Sequence, residues 1–222
     1  MGKVRHFSTP PPTLVVDTSV FILLGRVGAG SWLQQWAPHV RTTSAVLREL
    51  TPNADDESMR YVERLGLRNG LGLSTAAEKR ARDFQERMHV VTVGYQPEGA
   101  NVTFEQMRLH YLAELSRNWG ECTVLAAALQ RQAVACIDDH EGARVASESD
   151  IPCWGTWEFL QHSCERFGRP FEEGFAVVKR IREDGRAPTH PLRHGTLAQF
   201  SAPVRVMPSV PGGVELDDFT LS

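Results

Sequence analysis

Five acidic residues stand where the chain changes from one type of segment to another: Asp17, Glu49, Glu121, Asp138 and Asp139. Asp17 directly follows the apolar run LVV, and the Asp138–Asp139 pair directly follows the apolar run VACI. Glu121 lies in the first turn of a predicted helix, and Glu49 lies near the end of an earlier one. If these side chains meet in the folded protein, their mutual repulsion raises their pKa values unless a cation neutralises them.

Such a group of carboxylates favours hard divalent cations, because Mg²⁺ and Mn²⁺ prefer oxygen ligands. A pair of these ions about 4 Å apart can activate water and stabilise the oxygens of a phosphodiester during its hydrolysis. A bound cation also allows an acidic pocket to accept an anionic substrate. The carboxylates therefore indicate metal-dependent hydrolysis of a phosphodiester, a reaction that needs no side-chain nucleophile.

Each carboxylate taken alone also has an ordinary structural explanation. Asp17 and Asp139 are suited to capping the helices that follow them. Glu121 is a favourable charge at a helix N-terminus, and Glu49 is compatible with a solvated surface position. The prediction of a shared site therefore depends on the joint pattern of the five residues.

Strands and helices alternate along the chain. Short β-branched and apolar runs predict strands at 13–17, 39–42, 89–94, 133–138 and 151–155. Amphipathic or capped segments predict helices at 18–24, 32–36, 44–50, 56–65, 75–87, 104–115, 119–130, 141–147, 156–166 and 171–182. We take Thr18, Ser44, Ser74 and Thr156 as helix caps. The alternation predicts an α/β protein whose parallel sheet is covered by helices on both faces, with ligands at the carboxyl ends of its strands.

The predicted domain spans residues 13–168, and residues 52–100 form an enlarged region within it. Residues 1–12 are polar and end in three prolines, so we expect a flexible N-terminus. Residues 169–222 comprise one helix and a C-terminal tail. Because residues 185–213 are rich in Pro and Gly and the chain end is acidic, we expect residues 190–222 to be extended or disordered.

The composition is that of a globular protein. Of 222 residues, 41% are hydrophobic and 23% are charged, which excludes a wholly disordered chain. The 24 basic and 27 acidic residues give a net charge of −3, so the protein as a whole does not attract nucleic acid or an anionic membrane. Any RNA contact must therefore come from a local basic patch or from bound cations.

The cysteine pattern and the apolar runs indicate a cytoplasmic protein. The four cysteines are widely spaced and lack the close pair that is typical of zinc sites, which favours small residues of a reduced core. The N-terminus has no apolar segment typical of a signal peptide. No run approaches the roughly 18 apolar residues of a membrane span, so we expect no membrane partner.

Two other phosphoryl chemistries fit the sequence less well. A phosphorylation-controlled signalling receiver has its acidic pair on the first strand and needs a lysine near a late strand. Here the acidic pair follows a late strand, and no lysine lies near it in the sequence. A phosphatase with an Asp nucleophile at position 17 would need a second Asp two places later, where this chain has Ser19.

The acidic residues and their neighbours, taken in order, resemble the PIN-domain ribonucleases, and most closely the bacterial members that include VapC-like toxins. In that pattern an Asp followed by Thr and Ser ends the first strand, a Glu-Leu pair lies on an early helix and a Gly-Glu pair opens an Ala-rich helix. Two Asp residues follow the next strand, and a strand ending in Gly-Thr completes the pattern. The matching segments are LVVDTS (14–19), VLREL (46–50), GE (120–121), CIDD (136–139) and IPCWGT (151–156). The resemblance covers about residues 13–160.

The resemblance implies a PIN-like α/β/α sandwich with a central, mainly parallel sheet flanked by helices. It also implies an Mg²⁺- or Mn²⁺-dependent endoribonuclease that hydrolyses RNA by means of metal-activated water. Asp17, Glu49, Glu121, Asp138 and Asp139 would be the catalytic acids. All except Glu49 are expected metal ligands, and the choice between Asp138 and Asp139 is open. Thr18 and Ser19 would orient a carboxylate or a water molecule.

Several biological settings are compatible with this resemblance. The protein could be the toxin of a toxin–antitoxin pair, with a small antitoxin protein that plugs the acidic pocket, or a free-standing nuclease. A homodimer is common among such proteins. A non-catalytic scaffold that binds RNA or protein is the alternative function. The chain departs from the family in its long C-terminal segment, in its enlarged 52–100 region and at Ala143, where the family often has an arginine.

Arginine clusters are the predicted RNA contacts. Arg80, Arg82 and Arg87 belong to one helical segment, and Arg144 follows the acidic pair. A further cluster comprises Arg180, Arg182 and Arg186. Either helical cluster is equally compatible with a solvated helix face. Phe84 could stack a base but fits a core position better.

Overall fold

A computed structural model describes residues 10–53, 56–67, 69–89 and 118–202 of the chain. The predicted helix at 104–115 lies outside the described residues. So does the predicted strand at 89–94, except for His89, which ends a helix. The expected flexible N-terminus is described only from residue 10 onward.

Four short parallel strands form the central sheet. They are β1 (Leu14–Val16), β2 (Val40–Arg41), β3 (Val134–Cys136) and β4 (Cys153–Trp154), and their order across the sheet is β2-β1-β3-β4. Leu14 is paired with Val40 on one side and with Val134 on the other. Every residue of β1 and β3 is buried, which explains why both strands are continuously apolar rather than alternating. The four strands predicted within the described residues are confirmed, and each is shorter than predicted.

The strand order reverses at β1. The chain passes from β1 to β2 on one side and later enters the sheet again as β3 on the other side of β1. Connections that leave the carboxyl ends of β1 and β3 therefore diverge, and the crevice between them is where open α/β sheets bind ligands. Asp17 and Asp138 lie one and two residues beyond these strand ends. The topology thus brings both to the crevice.

Helices make up most of the remaining described residues. They are α1 (Thr18–Arg26), α2 (Ser31–Gln35), α3 (Ser44–Asn53), α4 (Asp56–Arg64), α5 (Thr75–His89), α6 (Trp119–Arg131), α7 (His140–Glu148), α8 (Thr156–Phe167), α9 (Phe171–Glu183), α10 (His190–His194) and α11 (Leu197–Phe200). A short 3₁₀ helix, Ala37–His39, precedes β2. The predicted helices that fall within the described residues are confirmed, with ends that differ by up to three residues.

Small side chains bring α6 close to its neighbours. Its alanine run 126–128 is buried, and α6 packs against α5, β1 and β3. On α5, Ala81, Phe84 and Met88 are buried. Phe84 is therefore a core residue and is not available to stack a base.

The prediction of an extended or disordered tail is wrong for residues 190–202. The predicted helix at 171–182 is confirmed as α9, and the chain then continues through α10 and α11. Phe200 is fully buried, and its ring packs against Trp157 with 4.9 Å between centroids and against Phe175 at 5.9 Å. Residues 203–222 lie outside the described residues. The Pro- and Gly-rich composition was misleading because a few buried apolar side chains are enough to order a short segment.

The guanidinium of Arg182 joins α9 to α10. It donates hydrogen bonds to the backbone carbonyls of Pro191, Leu192 and Gly195. These carbonyls lie in and just after the last turn of a helix, where carbonyls such as that of Leu192 have no partner within the helix, and that of Pro191 also accepts from the backbone N–H of Gly195. Arg182 therefore has a structural role, and its contact with RNA stays a prediction.

The cysteines are reduced, and the described helices are short or polar. All four cysteines are free thiols, and Cys122, Cys136 and Cys164 are buried, as expected of small core residues. Within the described part of the chain, the helices are too short or too polar to span a bilayer.

The packing of α11 generates a stability prediction. Replacing Phe200 with Ala removes a fully buried ring from the Trp157–Phe175 cluster, so we expect the free energy of unfolding to fall by about 3–5 kcal/mol. The matched control is Leu129→Ala on α6, where the side chain is 39% exposed and the change should stay within about 0.5 kcal/mol. Urea denaturation of both variants measures the difference. Equal and small effects would show that residues 190–202 are not part of the folded unit.

Candidate functional site

The five predicted acidic residues lie together at the carboxyl edge of the sheet. Burial is the main reason that their pKa values rise, and their neighbouring charges add to it. The charge of Asp139 contributes to the raised pKa of Asp17, and the charges of Asp17, Glu49 and Asp139 contribute to that of Glu121. The charge of Asp17 also acts on Glu49 and Asp138. Residues separated by more than 100 positions in the sequence therefore form one electrostatic cluster.

Asp17 is anchored through one carboxylate oxygen and leaves the other unused. It is the N-cap of α1, and its Oδ2 accepts hydrogen bonds from the Ser19 backbone N–H (3.1 Å) and hydroxyl (2.7 Å). Its own backbone N–H donates to the carbonyl of Cys136, which fixes it to β3. The side chain is 1% exposed, yet Oδ1 has no hydrogen-bond partner among the described residues. A buried oxygen without a partner is unfavourable, so Oδ1 is suited to a ligand.

Glu49 points into the site rather than into solvent. Its Oε2 accepts a hydrogen bond from the Thr18 hydroxyl (2.9 Å), and its Oε1 accepts one from the backbone N–H of Gly120 (3.0 Å). Val46 and Leu50 on the same helix are buried in the core. Glu49 lies on the adjacent face of the helix, which faces α1 and α6. The alternative of a solvated surface glutamate is therefore wrong.

Gly120 has no side chain, and the carboxylate of Glu49 occupies the space where one would lie. A Cβ atom placed on Gly120 would lie 2.3 Å from Oε2 of Glu49, far inside contact distance. Helix α6 begins after Asn118, which is in the left-handed conformation and makes no side-chain cap. Glu49 on α3 supplies the missing acceptor at this helix N-terminus, where a negative charge is favoured.

Glu121 lies one residue further into α6 and is half-buried. Burial, together with the charges of Asp17, Glu49 and Asp139, raises its pKa to about 8. In the absence of a cation, the carboxyl group of Glu121 is therefore mostly protonated and neutral at pH 7. The same negative charges, with burial as the larger cause, raise the pKa of the neighbouring Cys122 thiol, so this cysteine is not a reactive nucleophile.

Asp138 is fully engaged by one residue of the next connection. Its Oδ1 accepts from the backbone N–H of Thr156 (2.8 Å), and its Oδ2 accepts from the Thr156 hydroxyl (2.5 Å). The side chain is 2% exposed, and burial raises its pKa to about 6 despite these bonds. The pair ties the end of β3 to the start of α8. The role predicted for Thr156 as the helix cap is wrong, because Gly155 is the N-cap of α8.

Asp139 differs from Asp138 in having one oxygen available. It caps α7, with Oδ1 accepting from the backbone N–H of Gly142 (2.8 Å). No hydrogen bond from the described residues reaches its Oδ2, and its charge acts on both Asp17 and Glu121. Between the two aspartates that the sequence leaves open, the geometry therefore favours Asp139 as a ligand and Asp138 as a positioning residue.

The oxygen atoms of this cluster are of the type that binds a hard divalent cation, although the side chains are not yet close enough together to coordinate one. The available oxygens, Asp17 Oδ1 and Asp139 Oδ2, are carboxylate atoms of the kind that bind Mg²⁺ and Mn²⁺. Within the described ranges, no three His, Cys, Asp or Glu side chains are grouped closely enough to hold a metal ion as they stand. Asp17, Glu121 and Asp139 are the residues that would hold one.

Two of the predicted RNA-contact arginines are engaged within the protein. Arg87 on α5 donates to Glu148 and Ser149 at the end of α7. Arg144 donates to Glu141 and Glu148 and to the backbone carbonyl of Arg87. These bonds join α5 to α7 and give both arginines a structural role, and their contact with RNA stays a prediction.

The other two arginines remain accessible. Arg80 and Arg82 are exposed on α5, and the guanidinium of Arg82 lies 5.4 Å from the ring centroid of Trp119. Trp119 begins α6, two residues before Glu121, so Arg82 flanks the acidic site.

Sequence reasoning missed the partners that hold the carboxylates in place. Gly120 and Thr156 were seen only as parts of motifs, yet one makes room for Glu49 and the other binds both oxygens of Asp138. A glycine directly before an acidic helix start was the available signal for the first. Nothing in the sequence could show that the Gly-Thr after β4 faces the Asp after β3.

A scan against protein-family models finds no match to this chain, and searches of curated proteins and of solved structures find none either. The function must therefore be inferred from the residues and their geometry.

The acidic cluster generates a prediction about pH and stability in EDTA. Carboxylates with raised pKa values, about 8 for Glu121 and about 6 for Asp138, bind more protons in the folded protein than in the unfolded chain. The free energy of unfolding is therefore highest, as far as these two groups are concerned, below about pH 4. It falls as the pH rises to 8, because the unfolded chain loses these protons first. We expect Glu121→Gln to be more stable than the native protein at pH 8 and to approach it near pH 5. Thermal unfolding at both pH values measures this, with Glu86→Gln, an exposed glutamate on α5, as the control. Parallel pH profiles for Glu121→Gln and the native protein would contradict the prediction.

Proposed function

We propose that this protein is a PIN-type endoribonuclease that hydrolyses RNA with Mg²⁺ or Mn²⁺. The observation that carries the proposal is the buried Oδ1 of Asp17, which lacks a partner among the described residues and lies in a cluster of carboxylates at the switch point of the sheet. Such a cluster is unfavourable without a cation. An acidic crevice that binds a hard cation is suited to a phosphodiester substrate.

The residues have separable roles in this proposal. Asp17, Glu121 and Asp139 would hold the cation, and Ser19 orients the carboxylate of Asp17. Glu49 is oriented by Thr18 and Gly120 and faces the same space. Asp138 binds Thr156 and thereby positions the connection between β4 and α8. When bound, the cation supplies Lewis-acid activation of water and stabilises the charge that develops on the phosphate.

The fold supports the proposal without deciding it. The parallel order β2-β1-β3-β4 with surrounding helices is compatible with a PIN-like α/β/α sandwich. The preference for RNA over DNA comes from the sequence resemblance. Arg82 beside Trp119 is the RNA contact that we retain, because a cation close to an aromatic ring next to the site could bind the backbone and a base.

A non-catalytic scaffold is the second candidate, and one observation favours it. The described residues contain no group of three side chains already arranged to hold a metal ion. A scaffold of this kind would bind RNA equally well with and without divalent cations. The catalytic proposal requires the opposite, so the two are separated by the same experiment.

Two biological settings follow from the catalytic proposal. As a toxin, the protein would be paired with a small antitoxin protein that covers the acidic site, and it could act as a homodimer. As a free-standing nuclease it would need neither. A neighbouring short gene that encodes a DNA-binding protein would support the toxin setting.

Removal of a ligand carboxylate is expected to abolish cleavage. Purified protein should cut total RNA or tRNA in Mg²⁺ or Mn²⁺ but not in EDTA. Asp17→Asn and Glu121→Gln should each lower kcat/KM about a hundredfold or more, because several kcal/mol of transition-state stabilisation are lost and each 1.4 kcal/mol changes the rate about tenfold. Asp83→Asn, at an exposed aspartate of α5, is the matched control and should retain activity. Cleavage that persists in EDTA, or in both site variants, would falsify the mechanism.

A pair of glycine variants tests the position of Glu49. Gly120→Ala places a methyl group where the Glu49 carboxylate lies, so Glu49 must move away from Thr18 and Gly120. We expect kcat/KM to fall about 10- to 100-fold, as is typical when a residue that orients the site is displaced. Gly72→Ala is the control, because a methyl group there meets open space. Unfolding measurements on both variants test whether a loss of activity comes from misfolding. Equal activity in the two variants would mean that Glu49 has no part in the mechanism.

A further inference from the structure

A cleft adjoins the acidic site on the β4 side of the sheet. Its volume is about 460 Å³, which is within the range of roughly 300–1,000 Å³ typical of small-molecule sites. Helix α7 and β4 form one side, and residues just before and within α10 form the other. Asp139 lines both this cleft and the candidate metal site, so a group bound in the cleft lies directly beside the proposed point of cleavage.

The lining of the cleft favours a flat neutral group over a phosphate. Most of the lining surface is apolar, and the prolines Pro152 and Pro191 provide ring faces. The acidic and basic side chains that line it are three carboxylates, Asp139, Asp150 and Glu158, and one imidazole, His140. Carboxylates repel a phosphate that no cation accompanies, but they accept hydrogen bonds from the N–H edge of a heteroaromatic ring. A nucleobase has these properties, and unpaired RNA bases are recognised by stacking contacts and by hydrogen bonds to their edges.

Glu158 is the residue placed to select among bases. Its Oε2 accepts a hydrogen bond from the backbone N–H of Gly155, which orients a side chain that lines the cleft. Its Oε1 has no hydrogen-bond partner among the described residues. An ionised carboxylate is an acceptor only, so it suits amino groups such as N4 of cytosine. Uracil has no amino group, and its one ring donor on this edge, N3–H, lies between two carbonyl oxygens that a carboxylate repels, so uracil fits this wall less well.

The C-terminal segment completes the cleft. Thr189 and Pro191 line it, and Arg182 fixes the carbonyl of Pro191 to α9. This segment lies beyond the part of the chain that resembles the PIN-domain ribonucleases. Eleven of the thirteen lining residues lie within that part, so the C-terminal segment adds one wall to a cleft that the motif region otherwise forms.

We infer that this cleft binds one unpaired nucleobase of the RNA substrate, next to the cleaved phosphodiester, and that Glu158 selects amino-bearing bases over uracil. The inference rests on the proposed ribonuclease function for its substrate. Binding of the base itself requires only the cleft, so the two can fail separately.

Cleavage specificity tests the selection. Oligoribonucleotides that differ only in the base beside the cleaved bond should show kcat/KM values about tenfold or more higher for adenine, cytosine or guanine than for uracil. Glu158→Gln keeps an acceptor for Gly155 and adds an amide donor that can serve uracil, so the kcat/KM ratio between the amino-bearing bases and uracil should fall to near one. Glu172→Gln, at an exposed glutamate on α9, should leave the preference unchanged. An unchanged preference in Glu158→Gln overturns the role of Glu158.

Binding without cleavage separates this inference from the nuclease proposal. Cytidine and uridine are titrated into the native protein in EDTA, and backbone amide NMR shifts are followed. Cytidine should shift the amides of Ser147, Gly155 and Thr189 more strongly than uridine, and Ser147→Trp, which fills the cleft from an exposed helix position, should abolish these shifts. If RNA is cleaved but neither nucleoside shifts these amides, the nuclease proposal stands and the base site is refuted. Shifts without any cleavage support the base site and refute the nuclease.

Discussion

Backbone N–H groups at helix N-termini hold the acidic side chains of this protein in place. Asp17 accepts from α1, Asp139 from α7 and Asp138 from α8, while Glu49 reaches across from α3 to the first turn of α6. The first N–H groups of a helix have no partners within it and carry partial positive charge, so they attract carboxylates. Because parallel strands deliver their following helices to one edge of the sheet, the N-termini of α1, α7 and α8 lie there, and Glu49 brings the N-terminus of α6 to the same site. The acidic cluster is a direct consequence of this arrangement.

The same arrangement explains why the site is unfavourable until something binds. Helix N-termini satisfy some of the carboxylate oxygens but leave Oδ1 of Asp17 buried and without a partner in the described structure. The remaining repulsion appears in the pKa of Glu121, which burial and its acidic neighbours raise to about 8. Strained or poorly satisfied groups of this kind are typical of functional sites, because the surrounding fold must hold them against their own preference. Here the buried β1 and β3 strands provide that support.

The region beyond the shared motifs has two functions in the architecture. Helices α9 to α11 cover part of the core through Phe175, Leu192 and Phe200. They also supply one wall of the cleft beside Asp139. A segment that its composition predicted to be extended or disordered is therefore part of both the core and the cleft wall.

The sequence by itself determined the identity of the acidic residues and, within the described part of the chain, the four strands and the nine helices up to Glu183. Hydrophobic period and capping residues are local signals, and carboxylates that end apolar runs are visible without a structure. Only the tertiary structure decided which groups touch. It showed that Glu49 faces Gly120, that Thr156 occupies both oxygens of Asp138, and that Arg87 and Arg144 join two helices. It also showed that residues 190–202 are folded. These outcomes depend on contacts between residues far apart in the chain, such as the 71 positions between Glu49 and Gly120, and no local pattern specifies such distances.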